Sequence, residues 1–288
     1  MPELPEVETI RRELTAVLPG RTFSAVDVRL DKIAHQPAAY MQRMLTKKKV
    51  RAVERRAKVL LIRTSGGLNI VIHLKMSGQV IWVPKKGKMR VGGHPIPHGI
   101  ENLPNKYSHV IFTLSGGTVY FNDQRQFGYV KLLTNEELVA WLERQGYGPE
   151  PLDRGFTLDI FSAIMKRHAK KRLKPTLLDQ TVIAGIGNIY ADETCYLGKV
   201  QPQRHISTLT PGEIRGLYRG LQSILRLAIQ KKGTTANAYR TANGDKGSMM
   251  PFLNVYGRDG LQCRRCGRTI KKTTLAGRGT HFCPNCQR

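Results

Sequence analysis

Acidic side chains are scarce in this 288-residue chain: 21 Asp plus Glu stand against 47 Lys plus Arg, leaving a formal net charge of +26. So basic a balance points to a polyanionic partner. Aromatic residues are also few, at 7%, which argues against a stacking platform for single strands and favours duplex DNA. No apolar run approaches the roughly 20 residues that span a bilayer, so no membrane association is expected. The N-terminus is acidic and lacks the basic-then-apolar order of a secretory signal. The expected address is therefore the cytoplasm, or the nucleoid of a bacterium. Five cysteines with no export signal do not suggest a disulfide framework. What remains, 40% hydrophobic residues over this length, suffices for a real core and suggests two domains, or one domain and a small module.

The few acidic groups are not spread evenly. Met1-Pro2-Glu3-Leu4-Pro5-Glu6-Val7-Glu8 puts three carboxylates and two prolines at one terminus. Proline suits a first helical turn, and carboxylates there face the positive end of the helix dipole. A well-made helix start explains the pattern. Loss of Met1, usual before a small residue such as proline, adds a second meaning: the chain then begins with a secondary amine beside a carboxylate, a potential nucleophile. Basic stretches recur from Lys47-Lys48-Lys49 through Lys166 to Lys174 and Lys271-Lys272. Singly each is a solvated face; together they suggest a long phosphate track.

Leu4, Val7, Ile10, Leu14, Val17 and Leu18 follow helical spacing, with Gly20 as a stop. Strand-like runs follow at 23–28, 49–53, 59–64, 68–73, 79–83, 109–114 and 118–122, several separated by glycine turns. They suggest a sandwich or barrel. The Pro-, Gly- and Lys-rich segment 84–106 reads as a long, mobile loop. From Asn135 helical patterns dominate through Ile229. These shifts give an α+β, multidomain chain: an N-terminal domain over 1–133, a helical domain over 134–250 and a small module over 251–288.

Four of the cysteines form Cys263-Arg264-Arg265-Cys266 and Cys283-Pro284-Asn285-Cys286. Two such pairs match a structural zinc site, in which four thiolates close the tetrahedron and stiffen a hairpin too small to bury a core. Disulfides or redox pairs are the weaker reading. The hairpin carries Gly277-Arg278-Gly279, whose glycines allow close approach and whose arginine suits bidentate phosphate contact. His281 reads as packing or solvent-facing, and the lone Cys195 as core. Upstream, Gly185-Ile186-Gly187-Asn188 leads into a helical run with Asn188 as its N-cap, a setting for an anion such as a DNA phosphate.

Taken in order, Pro2 to Glu8, Arg55-Arg56-Ala57-Lys58, His73-Leu74-Lys75-Met76-Ser77-Gly78, Gly185 to Glu193 and the four-cysteine finger with Gly277 to His281 resemble the formamidopyrimidine-DNA glycosylases over essentially the whole chain. The resemblance implies an N-terminal β-sandwich with flanking helices. It implies a helical domain with a helix–two-turns–helix motif, a zinc finger holding one structural ion, and damaged duplex DNA in the cleft between domains. It implies a monomeric enzyme that removes 8-oxoguanine and formamidopyrimidines and then cleaves the strand. By the same resemblance Pro2 is the nucleophile forming a Schiff base, Glu3 the general acid–base, and Glu6 holds the amine and water. Lys58 is a phosphate contact and proton donor for β-elimination, and Arg278 the same for δ-elimination. His73 and Asn188 contact phosphates; Met76, Arg125 and Phe127 fill the hole left by the flipped base.

The family usually has Pro and Arg where Gln124 and Gln126 stand, and the loop 234–251 carries atypical Ala236-Asn237 and Ser248-Met249-Met250. Three competing readings are a pyrimidine-preferring endonuclease VIII-like enzyme, a non-catalytic lesion-binding protein, and a generic zinc-ribbon DNA binder. Leu4, Met76, Arg125 and Phe127 oppose the first, and Pro2, Glu3, Glu6 and Lys58 the second. The third leaves the first eight residues unexplained.

Overall fold

The computed structural model describes residues 1–94, 96, 98, 100–234 and 249–288. The chain divides into two compact units, Met1–Gln145 with Lys231–Ser248, and Gly146–Gln230 with Met249–Arg288.

The first unit opens with helix α1 (Leu4–Thr15), which has proline in its first turn and a capping box between Glu3 and Glu6. Its buried face, Leu4, Val7, Ile10 and Leu14, follows the expected helical spacing. Two antiparallel sheets follow. One orders β1 (Phe23–Val28), β7 (Ser108–Leu114), β8 (Gly117–Asp123), β5 (Gly78–Pro84) and β6 (Arg90–Gly93). The other orders β2 (Val50–Arg56), β3 (Val59–Thr64), β4 (Leu68–His73) and β9 (Tyr129–Thr134). Leu60, Ile62, Ile70 and Ile72 of the second sheet share one core with Val80, Trp82, Phe112 and Phe121 of the first. This is the sandwich expected from sequence; β8 and β9 alternate buried and half-buried residues, whereas β3, β4, β5 and β7 are buried almost throughout.

Several elements differ from the expectation. The segment 84–106, read as a loop, contains β6, which pairs with β5 from Gln79↔Gly93 to Trp82↔Arg90. Glycine hides that strand from a hydrophobic pattern and is there for a reason: a Cβ on Gly92 would lie 2.1 Å from Ile10 Cγ1 of α1. Strand β9 and the short helices α2 (Asp31–Ala34) and α3 (Ala38–Leu45) also went unread, neither helix having a side-chain cap. Helix α4 (Asn135–Gln145) belongs to the first unit.

The second unit comprises α5 (Leu158–Arg167), α6 (Leu173–Leu178), α7 (Asn188–Leu197) and α8 (Pro211–Gln230), followed by the hairpin of β10 (Lys271–Leu275) and β11 (Arg278–Phe282). Two successive turns join α6 to α7. Phe161, Leu173, Leu177, Ile186, Tyr190, Leu217 and Leu221 form its core. The N-cap of α7 is Gly187 rather than Asn188, which is the first helical residue. Asn188 is thereby released from capping, and its amide turns elsewhere. Among the described residues, no helix is long and apolar enough to cross a membrane.

Candidate active site and metal centre

In the first unit Glu3, Glu6, Lys58 and Arg125 all act electrostatically on the chain terminus. Pro2, Glu3 and Glu6 are buried, the two carboxylates at 2% exposure. Glu6 Oε2 accepts from the Glu3 N–H at 2.9 Å. Glu6 Oε1 accepts from the Thr234 N–H at 2.8 Å and its hydroxyl at 3.1 Å. One carboxylate thus ties the first residues of the chain to Thr234. Gly233, at φ +76°, allows this, since a Cβ there would lie 2.7 Å from Glu6 Oε1. The terminal ammonium is pushed below its ordinary pKa, chiefly by burial; Glu3 and Glu6 oppose the shift, and Lys58 and Arg125 add to it. Burial penalises the charged form, and the two cations repel it.

Lys58 follows Ala57, which takes φ +51° in the tight β2–β3 turn, and is only 6% exposed. His73 ends β4. Its Nδ1 accepts from the Lys75 N–H at 3.0 Å, so Nε2 carries the ring proton in the neutral form. Burial first, then Lys75 and Lys58, lower its pKa to about 3. At neutral pH His73 is an uncharged donor. Met76, Arg125 and Phe127 are all exposed, and the Arg125 guanidinium stacks on the Phe127 ring at 4.9 Å.

In the second unit Arg278 opens β11 directly after a two-residue turn, Ala276 at φ +49° and Gly277 at φ +71°. Positive φ at both positions is the turn that suits strand twist, and glycine at the second makes it accessible. Behind Arg278, the Gly279 carbonyl accepts from Asn188 Nδ2 at 2.9 Å and from Lys174 Nζ at 2.8 Å. The fold therefore brings Asn188 and Arg278 together. Lys174, completely buried, also reaches Thr280 Oγ1 at 2.9 Å and the buried Asp192 at 2.7 Å. Asp192 Oδ2 in turn accepts from the His281 N–H at 2.9 Å. His281 packs on Tyr256, so it is a structural residue as expected. Cys195 is fully buried, as expected, and burial pushes its thiol far up. Sequence reasoning missed Lys174, Asp192 and Glu193. Glu193 accepts from the backbone of Asn254, Val255 and Tyr256, leading into the finger. The available signal was an Asp-Glu pair within a helix whose residues 190–196 are all buried, a position that requires partners.

The sulfurs of Cys263, Cys266, Cys283 and Cys286 lie within 4.8 Å of one another. Cys266 and Cys283 are 3.5 Å apart and Cys263 and Cys286 3.9 Å, well beyond disulfide length. Tetrahedral zinc with Zn–S of about 2.3 Å requires sulfur separations of about 3.8 Å. The donor set fits: the four cysteines could bind one zinc ion, with no coordination position left for substrate water.

Residues 1–130 match the family of the formamidopyrimidine-DNA glycosylase N-terminal domain, 147–239 that of the formamidopyrimidine-DNA glycosylase H2TH domain, and 260–288 the zinc finger found in FPG and IleRS. The chain belongs to the formamidopyrimidine-DNA glycosylase family. The formamidopyrimidine-DNA glycosylase of Pelotomaculum thermopropionicum is 40% identical over 291 residues, covering 100% of this chain and 99% of the relative. That of Streptococcus pneumoniae is 38% identical over 289 residues, with the same coverage. A Lactococcus lactis Fpg solved with DNA containing an abasic site superposes at TM-score 0.86 and 31% identity, covering 99% of both chains. A wild-type Lactococcus lactis Fpg solved with DNA containing an oxidised pyrimidine gives 0.86 and 32%, covering 100% of both. As a member of this family the chain is a DNA glycosylase of base-excision repair, and lyase activity is typical of such enzymes.

Proposed function

We propose that this glycosylase excises oxidised purines, 8-oxoguanine and formamidopyrimidines, from duplex DNA through a Schiff base on Pro2, and then cleaves the abasic strand. The supporting observation is the group of Glu3, Glu6, Lys58 and Arg125 acting on the partly buried Met1 amine. Once Met1 is removed, the Pro2 nitrogen inherits this setting. Burial, outweighing the neighbouring Glu3 and Glu6 carboxylates and helped by Lys58 and Arg125, favours its unprotonated, nucleophilic form.

The Pro2 nitrogen attacks C1′ of the lesion nucleotide, and the C1′–N bond to the base breaks, the base leaving with a proton. Glu3 gives a proton to O4′ as the sugar ring opens, leaving a cationic iminium. The iminium draws electrons from C2′, whose proton is lost as the 3′ phosphate departs. A second elimination expels the 5′ phosphate, and hydrolysis frees Pro2. In this reading Lys58 and Arg278 contact phosphate and supply protons for the β and δ steps. Glu6 holds the amine and water. His73, as a neutral donor, and Asn188 contact phosphates. Flipping the base costs roughly a few kcal/mol of stacking, and Met76, Arg125 and Phe127 fill the gap. We place the enzyme in the cytoplasm as a monomer.

Single-turnover excision from 8-oxoguanine·cytosine duplex tests this reading. Glu3→Gln should slow excision by at least about 100-fold, the lower range for acid–base catalysis. Excision within threefold of wild type refutes the assignment of Glu3. Faster release of an oxidised pyrimidine than of 8-oxoguanine refutes the purine preference.

A further inference from the structure

Building on the gap-filling role proposed for Met76, Arg125 and Phe127, we propose that Ser77 and Asp123 are positioning residues that lock the two loops carrying those side chains into one rigid base. Met76 lies on the turn between β4 and β5, and Arg125 to Phe127 on the turn between β8 and β9. The β5–β8 ladder sets the loop roots side by side, Gly78 pairing with Asp123.

At that junction Asp123 is completely buried and Ser77 is 2% exposed. The Ser77 hydroxyl donates to Asp123 Oδ1 at 2.5 Å and accepts from the Arg125 N–H at 2.9 Å. Asp123 Oδ1 also accepts from the Arg125 N–H at 3.1 Å, and Oδ2 from the Gly128 N–H at 2.7 Å. The carboxylate therefore grips both ends of the Arg125–Phe127 loop, and the serine passes that grip to the Met76 loop. His109 Nε2, itself buried, fixes the Asp123 carbonyl at 2.7 Å. Gly128 makes the approach possible: a Cβ there would lie 2.9 Å from both Asp123 Oδ2 and the His73 carbonyl.

The contrast with the loop tips suggests the purpose. Phe127 is 56% exposed and Met76 36%, and the contact on the Phe127 ring comes from Arg125 of the same loop. Side chains entering a stacked duplex together need fixed roots, and a buried carboxylate satisfied by three donors supplies them. Neither Ser77 nor Asp123 is exposed enough to meet the duplex; both act through the residues they hold.

The test uses the intact, zinc-loaded enzyme. Ser77→Ala removes the bridge and leaves the carboxylate its backbone donors. Excision of 8-oxoguanine from duplex should fall about tenfold, the usual consequence of losing one hydrogen bond to a charged group. Borohydride trapping on a single-stranded abasic oligonucleotide, where no stack has to be filled, should be unchanged. Added to a Met76→Ala/Arg125→Ala background, Ser77→Ala should cause no further loss on duplex. Unchanged duplex excision by Ser77→Ala overturns the proposal. So does an equal loss on both substrates, or an equal further loss in the doubly substituted background; either marks Ser77 as merely structural. Unchanged duplex excision by Met76→Ala/Arg125→Ala itself overturns the gap-filling reading, and the proposal with it, whatever Ser77→Ala does.

Discussion

Lys174→Met should destabilise the second unit severely. Lys174 and Asp192 are both completely buried, their charged atoms 2.7 Å apart. Lys174 Nζ also donates to Gly279 O and Thr280 Oγ1 on the Arg278 hairpin. Methionine keeps the apolar volume but leaves Asp192 as a buried charge, and removing one member of such a pair costs about 3–5 kcal/mol. For a unit of this size, that lowers the melting temperature by roughly 10–20 °C. Adding Asp192→Asn should restore much of the loss. The buried charge disappears, while an oxygen remains to accept from the His281 N–H, now 2.9 Å away. Thermal unfolding followed by zinc release from the finger cysteines measures both variants. A drop of less than about 3 °C for Lys174→Met, or a further drop on adding Asp192→Asn, refutes the reasoning.

Acid should weaken the first unit in two stages. His73 is held at about 3, chiefly by burial. Unfolded histidine near 6.5 takes up a proton that the folded ring refuses, so its contribution is full above about 6.5 and lost as pH falls toward 3. Glu8 is opposed by burial yet held at about 2 by Arg11, Arg12 and Arg55; its contribution is full above about 4.3 and lost as pH falls toward 2. Urea unfolding against pH should show Glu8→Gln flattening only the lower stage, and a flat wild-type profile between pH 6 and 3 contradicts both assignments. Zinc chelation should reduce duplex affinity with the first unit still folded, because Arg278 rides on the hairpin that the metal closes; unchanged affinity counts against the finger as a DNA-binding element. Affinity should also fall steeply with salt, as counterion release requires for many phosphate contacts, and a shallow slope contradicts the phosphate track.

The sandwich was legible where turn chemistry spoke clearly. Ser65-Gly66-Gly67 and Ser115-Gly116-Gly117 mark hairpins whose flanking strands β3, β4, β7 and β8 appear within a residue or so of expectation. Strand β6 was not legible, because Gly92 answers to Ile10 of a distant helix and Gly93 to the backbone of β5 rather than to a hydrophobic pattern. The four cysteines announced their cluster through spacing alone. The contacts that aim the site residues were invisible for a different reason. Ser77 meets Asp123 across 46 positions, Lys174 meets Gly279 across 105, and Glu6 meets Thr234 across 228. Such pairings are created by tertiary folding and leave no local signature beyond a polar residue in an apolar setting. The atypical Ala236-Asn237 and Ser248 lie outside the described residues. Met249, by contrast, is buried in the second unit's core.

The proposed chemistry rests on one nitrogen. Wild-type enzyme incubated with 8-oxoguanine·cytosine duplex and borohydride, then digested and mapped by mass spectrometry, reports which residue carries the sugar remnant. A single adduct on the α-nitrogen of Pro2, in protein that has lost Met1, is expected. An adduct mapped to Lys58 or another lysine, or one formed by protein that retains Met1, contradicts it.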